Sequence, residues 1–306
     1  MGKIAFVFSG QGAQYSGMGK SLYDMGKGAK ELYTQAEKLR EGTLRQSFEG
    51  TDEELKATEN TQPCLYLVEL AAAISLNEMG IYADAVAGFS LGEVAALAYA
   101  GAYSHLGGFK IVSKRGELMG EAACQNDTSM AAVLRLDSKT VEETAKHFEK
   151  LYAVNFNCPG QTVVSGLKAS FPAFEGAVKE LGGRCVPLAV SAAFHSPFMQ
   201  EASEKFYEYL KDMSFEKTSV PVYANYTAKP YEEDVASMLR NQMRSPVRWQ
   251  ETIENMIADG YTDFIEVGAG KTLCGLIKKI SKEANVYAVD SEQSLIETVK
   301  AVKGDA

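Results

Sequence analysis

A chain of 306 residues, 46% hydrophobic and 23% charged, has room for a full core, and that balance excludes a disordered or fibrous protein. The formal charge of −9 argues against nucleic acid as a partner, because phosphate binding needs a basic face. Five cysteines, at 64, 124, 158, 185 and 274, form no CxxC pair, which favours reduced thiols in a cytoplasm over disulfides or a metal site.

Residues 4–8, Ile-Ala-Phe-Val-Phe, read as a buried first strand with no signal-peptide pattern around it, ended by Ser9-Gly10-Gln11-Gly12. Thr61-Gln62-Pro63 opens a helix to about residue 79, with proline in its first turn and Gly80 past its end. The apolar stretch 64–76 within it is too short for a bilayer and carries Glu69, so no membrane partner is expected. Residues 85–88 form a short strand, followed by an Ala-rich helix over 91–100 and a stop at Gly101. The middle changes character. A strand over 131–136, an amphipathic helix over 138–151, a hairpin of 153–156 with 162–165 around Asn157-Cys158-Pro159-Gly160, a helix over 169–181 and a strand over 185–190 make β-α-β-β-α-β. That order is ferredoxin-like. Near the end, a strand over 264–267 turns through Gly268-Ala269-Gly270 into a helix over 271–280. Strands alternating with helices predict a mostly parallel sheet covered on both faces, an α/β fold. The expected division is a large domain of residues 1–127 and 192–306 with a small one of 128–191 inserted, leaving a cleft between them.

Gly88-Phe89-Ser90-Leu91-Gly92 fits G-x-S-x-G between a strand and a helix. A tight strand-to-helix turn there pushes a serine hydroxyl out of the sheet, and the helix start offers free N–H groups to an oxyanion. The plainer reading is a Gly-Ser turn without function. Only three histidines could serve Ser90 as base. His147 sits on a charged helix face and His105 in a polar loop beyond the elbow helix, whereas His195 ends an apolar run before Ser196-Pro197, where a cleft residue belongs. His195 is the candidate base by elimination. The loop Gly10-Gln11-Gly12-Ala13-Gln14 could bring backbone amides to an anion. It misses G-x-G-x-x-G at Tyr15, and Gly270-Lys271-Thr272 lacks the first glycine of a phosphate loop at Ile265, so both nucleotide readings are weak.

Together these segments resemble the malonyl-CoA:acyl carrier protein transacylase family over nearly the whole chain. The matching stretches are Phe8 to Gln14, Gly88 to Glu93, Lys114-Arg115-Gly116, Val154 to Gln161, Ala193-Phe194-His195-Ser196, Ser245-Pro246-Val247-Arg248-Trp249 and Glu266 to Lys271. The resemblance implies an α/β-hydrolase-like large domain carrying the ferredoxin-like one. It also implies malonyl-CoA and an acyl carrier protein as partners, with no cofactor or metal. Ser90 takes the acyl group on that reading, and His195 is the base. Gln11 and Leu91 amides form the oxyanion hole, Arg115 grips the malonyl carboxylate, and the Gln242 carbonyl orients the histidine. Two positions depart from the family pattern, Phe89 where histidine is usual and Ala269 where proline is usual. Phe194 resembles the malonyl-selective version of its segment, where a bulky ring crowds an α-methyl group.

Two rival readings share these features. A thioesterase would use the same elbow and histidine, with Asp137 the one carboxylate in the chain-order slot of an esterase, although a capping role suits it better. A non-catalytic docking subunit would keep the fold without needing Ser90, His195 and Arg115 together. An anionic coenzyme and an acidic carrier protein also require a local basic patch on this acidic chain, drawn from Lys114, Arg115, Arg184, Arg244, Arg248 or Lys278.

Overall fold

The computed structural model describes residues 2–190, 192–232 and 234–304. Strands β1 (Lys3–Phe8) and β2 (Ala85–Gly88) come first, then β3 (Thr128–Leu134), β4 (Leu151–Cys158), β5 (Gln161–Leu167) and β6 (Arg184–Pro187), then β7 (Val222–Tyr223), β8 (Tyr261–Val267) and β9 (Asn285–Val289). The larger sheet has the order β7-β2-β1-β8-β9, and every pairing in it is parallel. Alternation along β1 shows why it lies at the centre. Ile4, Phe6 and Phe8 feed the core on one face, while Ala5 and Val7 feed the core on the other. A strand apolar on both sides needs helices above and below it.

The smaller sheet is antiparallel, with the order β4-β5-β3-β6. Helices Ser138–Ala145 and Phe171–Glu180 supply its β-α-β-β-α-β connectivity and, with it, a third hydrophobic cluster built on Val133, Val141, Val164 and Phe174. This is the ferredoxin-like order. Its β4 is bonded to the segment before the Trp249–Ala258 helix. Phe156 N–H donates to Val247 O at 2.9 Å, and Val247 N–H donates to Val154 O at 2.8 Å. The boundary expected at 191 falls on Ser191, outside the described residues.

Several element ends differ from expectation, each for a physical reason. The long helix runs Thr58–Glu78, three residues earlier than the proline signal suggested, with Pro63 inside its second turn. Burial along nearly its whole length compensates the lost backbone bond. The predicted helix over 138–151 stops at Ala145, because Leu151 is taken into β4 opposite Gly166. Strand β3 ends at Leu134, where Arg135 turns with φ 72°. Strand β6 ends at Pro187, and Leu188 and Val190 leave the sheet to line cavities beside Ser90. His105 is not in a loop but opens the helix His105–Ala123, capped by Ser104.

Candidate active site

Ser90 caps the start of the Leu91–Tyr99 helix with φ 56° and ψ −104°, a left-handed backbone that a non-glycine residue holds only when its surroundings insist. The flanking glycines serve close approach rather than dihedral freedom. A Cβ on Gly88 would lie 1.9 Å from the Gly92 carbonyl carbon, and one on Gly92 would lie 2.4 Å from both the Phe8 and Ser9 oxygens. Strand and helix are thus pressed together, and the hydroxyl projects from the turn.

The hydroxyl meets its expected partner. Ser90 Oγ lies 2.7 Å from His195 Nε2, and His195 Nδ1 lies 2.9 Å from the Gln242 main-chain oxygen. A carbonyl can only accept, so Nδ1 carries the proton and Nε2 is left free to accept from Ser90. Burial holds the imidazole down to about 4, with the Arg115 cation adding to the shift and the Gln242 and Ser245 backbone opposing it. A neutral imidazole is therefore the resting form.

Arg115 is fully buried on the His105–Ala123 helix. Its Nη2 donates to Ser90 Oγ at 3.1 Å and to Gln242 Oε1 at 2.9 Å, and its Nη1 donates to Gln62 Oε1 at 2.9 Å. Among the described residues it forms no ion pair, and its Nε has no partner. Burial lowers it to about 10, so it stays charged at neutral pH. A buried cation aimed at a serine hydroxyl and held by neutral amides has charge left over for an anion.

The Leu91 amide is the first of its helix, so no carbonyl of that helix can take it. The Ser90 amide is already used, donating to Asn225 Oδ1 at 2.7 Å. Gln11 and Leu188 line a cavity of about 90 Å³ at Ser90 with Phe89, Asn155, Phe194 and His195. A second cavity of about 210 Å³ shares Gln11, Phe89, Asn155 and Leu188 and continues to Gln161, Leu273 and Leu276. Phe89 packs against Trp249 with ring centroids 5.5 Å apart, so this wall of the cavity is apolar.

Several sequence readings are settled here. Asp137 is exposed and caps the Ser138–Ala145 helix, accepting from Thr140 N at 2.9 Å, so it does not serve the histidine. His147, expected on a helix face, is exposed in the turn just past that helix's end. The phosphate-loop resemblance fails because Glu266 takes the Leu273 and Cys274 amides at 3.0 and 2.8 Å, filling the helix start with a carboxylate. Ala269 is buried in its turn. Asn225, Glu93 and Gln62 escaped sequence reasoning as site residues; only Glu93 left a trace, as the one charge in an apolar helix.

The acyl transferase domain model matches residues 5–298. The chain belongs to this acyl transferase family. It is 40% identical over 311 residues to the malonyl CoA-acyl carrier protein transacylase of Bacillus subtilis, covering 99% of this chain and 98% of that one. The malonyl CoA-acyl carrier protein transacylase of Clostridium perfringens superposes with a TM-score of 0.95 at 35% identity, over 98% of this chain and 97% of that one. A malonyl-transacylase solved in complex with its type II polyketide acyl carrier protein gives 0.94 at 32% identity, over 98% and 99%. Within the family's fold, the elbow serine and the histidine of this acyl transferase line one cavity, and the buried arginine touches the serine hydroxyl.

Proposed function

We propose that this chain moves a malonyl group from malonyl-CoA to the phosphopantetheine thiol of an acyl carrier protein, through a malonyl ester on Ser90. One observation carries the reading: Ser90 Oγ stands between the neutral Nε2 of His195 and the buried Arg115 guanidinium. The first makes the hydroxyl a nucleophile, and the second offers a carboxylate a partner 3.1 Å from the point of attack.

The steps follow from those atoms. His195 Nε2 accepts the Ser90 proton as Oγ bonds to the thioester carbonyl carbon. The oxygen turns anionic against the Gln11 and Leu91 amides, each donor being worth about 3 kcal/mol in the transition state. The carbon–sulfur bond breaks, and the imidazolium returns its proton to the departing coenzyme A sulfur. The carrier thiol then repeats the sequence in reverse, giving up its proton to His195 and taking the malonyl group. Gln242 keeps the imidazole in the required tautomer through its carbonyl, and Phe194 narrows the pocket against an α-methyl group.

The division we propose, residues 128–191 inserted between 1–127 and 192–306, puts this chemistry at the seam between the two. We place it in the cytoplasm, in keeping with five cysteines that are all unpaired; among the described residues no helix is long and apolar enough to cross a membrane. Incubation with malonyl-CoA followed by intact-mass spectrometry tests the reading. Wild type should gain one malonyl mass and lose it to a pantetheine thiol, and Ser90→Ala should gain none. An adduct on Ser90→Ala would remove the serine from its role. Release to water as fast as to the thiol would favour a thioesterase.

A further inference from the structure

We propose that Glu93 is a positioning residue for transfer: from beneath the elbow its carboxylate holds Asn225 and Gln242, and those two amides lock Ser90, His195 and Arg115 into one unit. This rests on the transacylase reading above and adds a residue that touches neither substrate nor reacting atoms.

Glu93 is fully buried two residues into the elbow helix. Its neighbours all present donors. Asn225 N–H reaches Oε2 at 2.7 Å, Gln242 Nε2 reaches Oε2 at 3.5 Å, and the Tyr231 hydroxyl reaches Oε1. In its ionised form Glu93 is acceptor-only and satisfies three converging donors, and an apolar side chain there would strand them in the core.

Each residue held by Glu93 then holds part of the site. Asn225 Oδ1 accepts the Ser90 amide at 2.7 Å, and its Nδ2 donates to Gly88 O at 2.6 Å, which clamps both sides of the strained turn. Gln242 touches all three of the residues to be locked. Its Nε2 donates to Ser90 O at 2.6 Å, its Oε1 accepts from Arg115, and its main-chain oxygen accepts from His195. The φ of 56° at Ser90 persists only under such constraint. Tyr231, Tyr103 and Arg115 are the titratable groups that face Glu93. Burial raises its carboxyl to about 7, with the three donors and the Arg115 cation opposing that rise.

The test is the single-turnover rate of Ser90 acylation by malonyl-CoA, read by mass spectrometry and normalised to folded protein from thermal melts. Glu93→Leu should slow acylation at saturation by about 100-fold, the cost of a reacting atom displaced by a distant change. The half-saturating malonyl-CoA should move far less, because Gln62 still holds Arg115. Glu93→Gln should recover to within about tenfold of wild type, since its carbonyl can accept from Asn225 while its amide donates to the Tyr231 oxygen. Should Glu93→Leu fail to fold, Tyr231→Phe decides: loss of one donor to the carboxylate should slow acylation about fivefold. A wild type that takes no malonyl group removes the transacylase reading and this inference together. A wild type that is acylated, with Glu93→Leu or Tyr231→Phe reacting at the same rate, overturns the inference alone.

Discussion

Arg115 shows how a residue that looks ordinary in sequence can lie at the centre of a cluster in space. In Lys114-Arg115-Gly116 it looks like a surface cation, and family likeness alone marked it; folding buries it completely against Ser90. Arg115→Ala should cost malonyl-CoA acylation about 3 kcal/mol, roughly 100-fold, while acetyl-CoA acylation, with no carboxylate to grip, falls far less. Equal losses measured for the two thioesters would show that the guanidinium does not read the carboxylate. Ser90 was legible because its glycines answer a local steric need, and His195 because only three histidines competed. Asn225 and Gln62 were not legible, since their roles exist only through partners far away in sequence. His195 also carries a pH signature. Its folded value of about 4 lies below the unfolded value near 6.5, so the unfolded chain binds the proton more readily. The neutral imidazole's contribution is fully present above pH 6.5 and is lost as pH falls toward 4, by about 3 kcal/mol over that window. Denaturant titrations of wild type and His195→Gln across it should converge by that amount, and a pH-independent gap would contradict the shift.

At the scale of elements, the same residue type takes opposite roles in two helices. Gly92 sits where the elbow helix meets β1, and an added Cβ would strike backbone oxygens that cannot move without shifting the strand. Gly92→Ala should therefore lose about 1–3 kcal/mol, the usual cost of overpacking, and misplace Ser90 as well. Gly275 lies in the Thr272–Ile280 helix with nothing near its missing Cβ. Gly275→Ala should gain about 0.5–1 kcal/mol through helix propensity. Chemical denaturation of the pair checks both signs, and a neutral Gly92→Ala would mean that strand and helix can separate cheaply. Elements with a strong local signature, such as β2, the elbow helix and the Pro159-Gly160 hairpin, were readable from sequence. Boundaries set by competition between elements were not. The helix that ends at Ala145 gives way to turns over 146–150 before Leu151 opens β4, and β6 gives up Leu188 and Val190 to the cavities.

For the whole molecule, a charge of −9 opposes the approach of an anionic coenzyme and an acidic carrier, so the distribution of cations matters more than their number. Of the six basic residues considered from sequence, Lys114, Arg244 and Arg248 are tied to Glu117, Glu204 and Glu251, and Arg115 is buried. Arg184 and Lys278 are exposed and form no ion pair among the described residues. Strand register brings such cations to one edge. Leu134 pairs with Gln161 on one side and Arg184 on the other, Arg135 follows directly, and Lys279 Nζ donates to Gln161 Oε1 at 3.3 Å. Gln161 and Leu276 line the larger cavity beyond Phe89, which sets Lys279 beside that lining. Cations beside that cavity would make its surroundings the favoured approach for an acidic carrier on an otherwise negatively charged chain. Lys278→Glu with Lys279→Glu should lower kcat/KM for the carrier about tenfold and flatten its salt dependence, while acylation at saturating malonyl-CoA proceeds at the wild-type rate. Measurement of both half-reactions across ionic strength separates docking from chemistry, and an unchanged carrier kcat/KM would place the docking surface elsewhere.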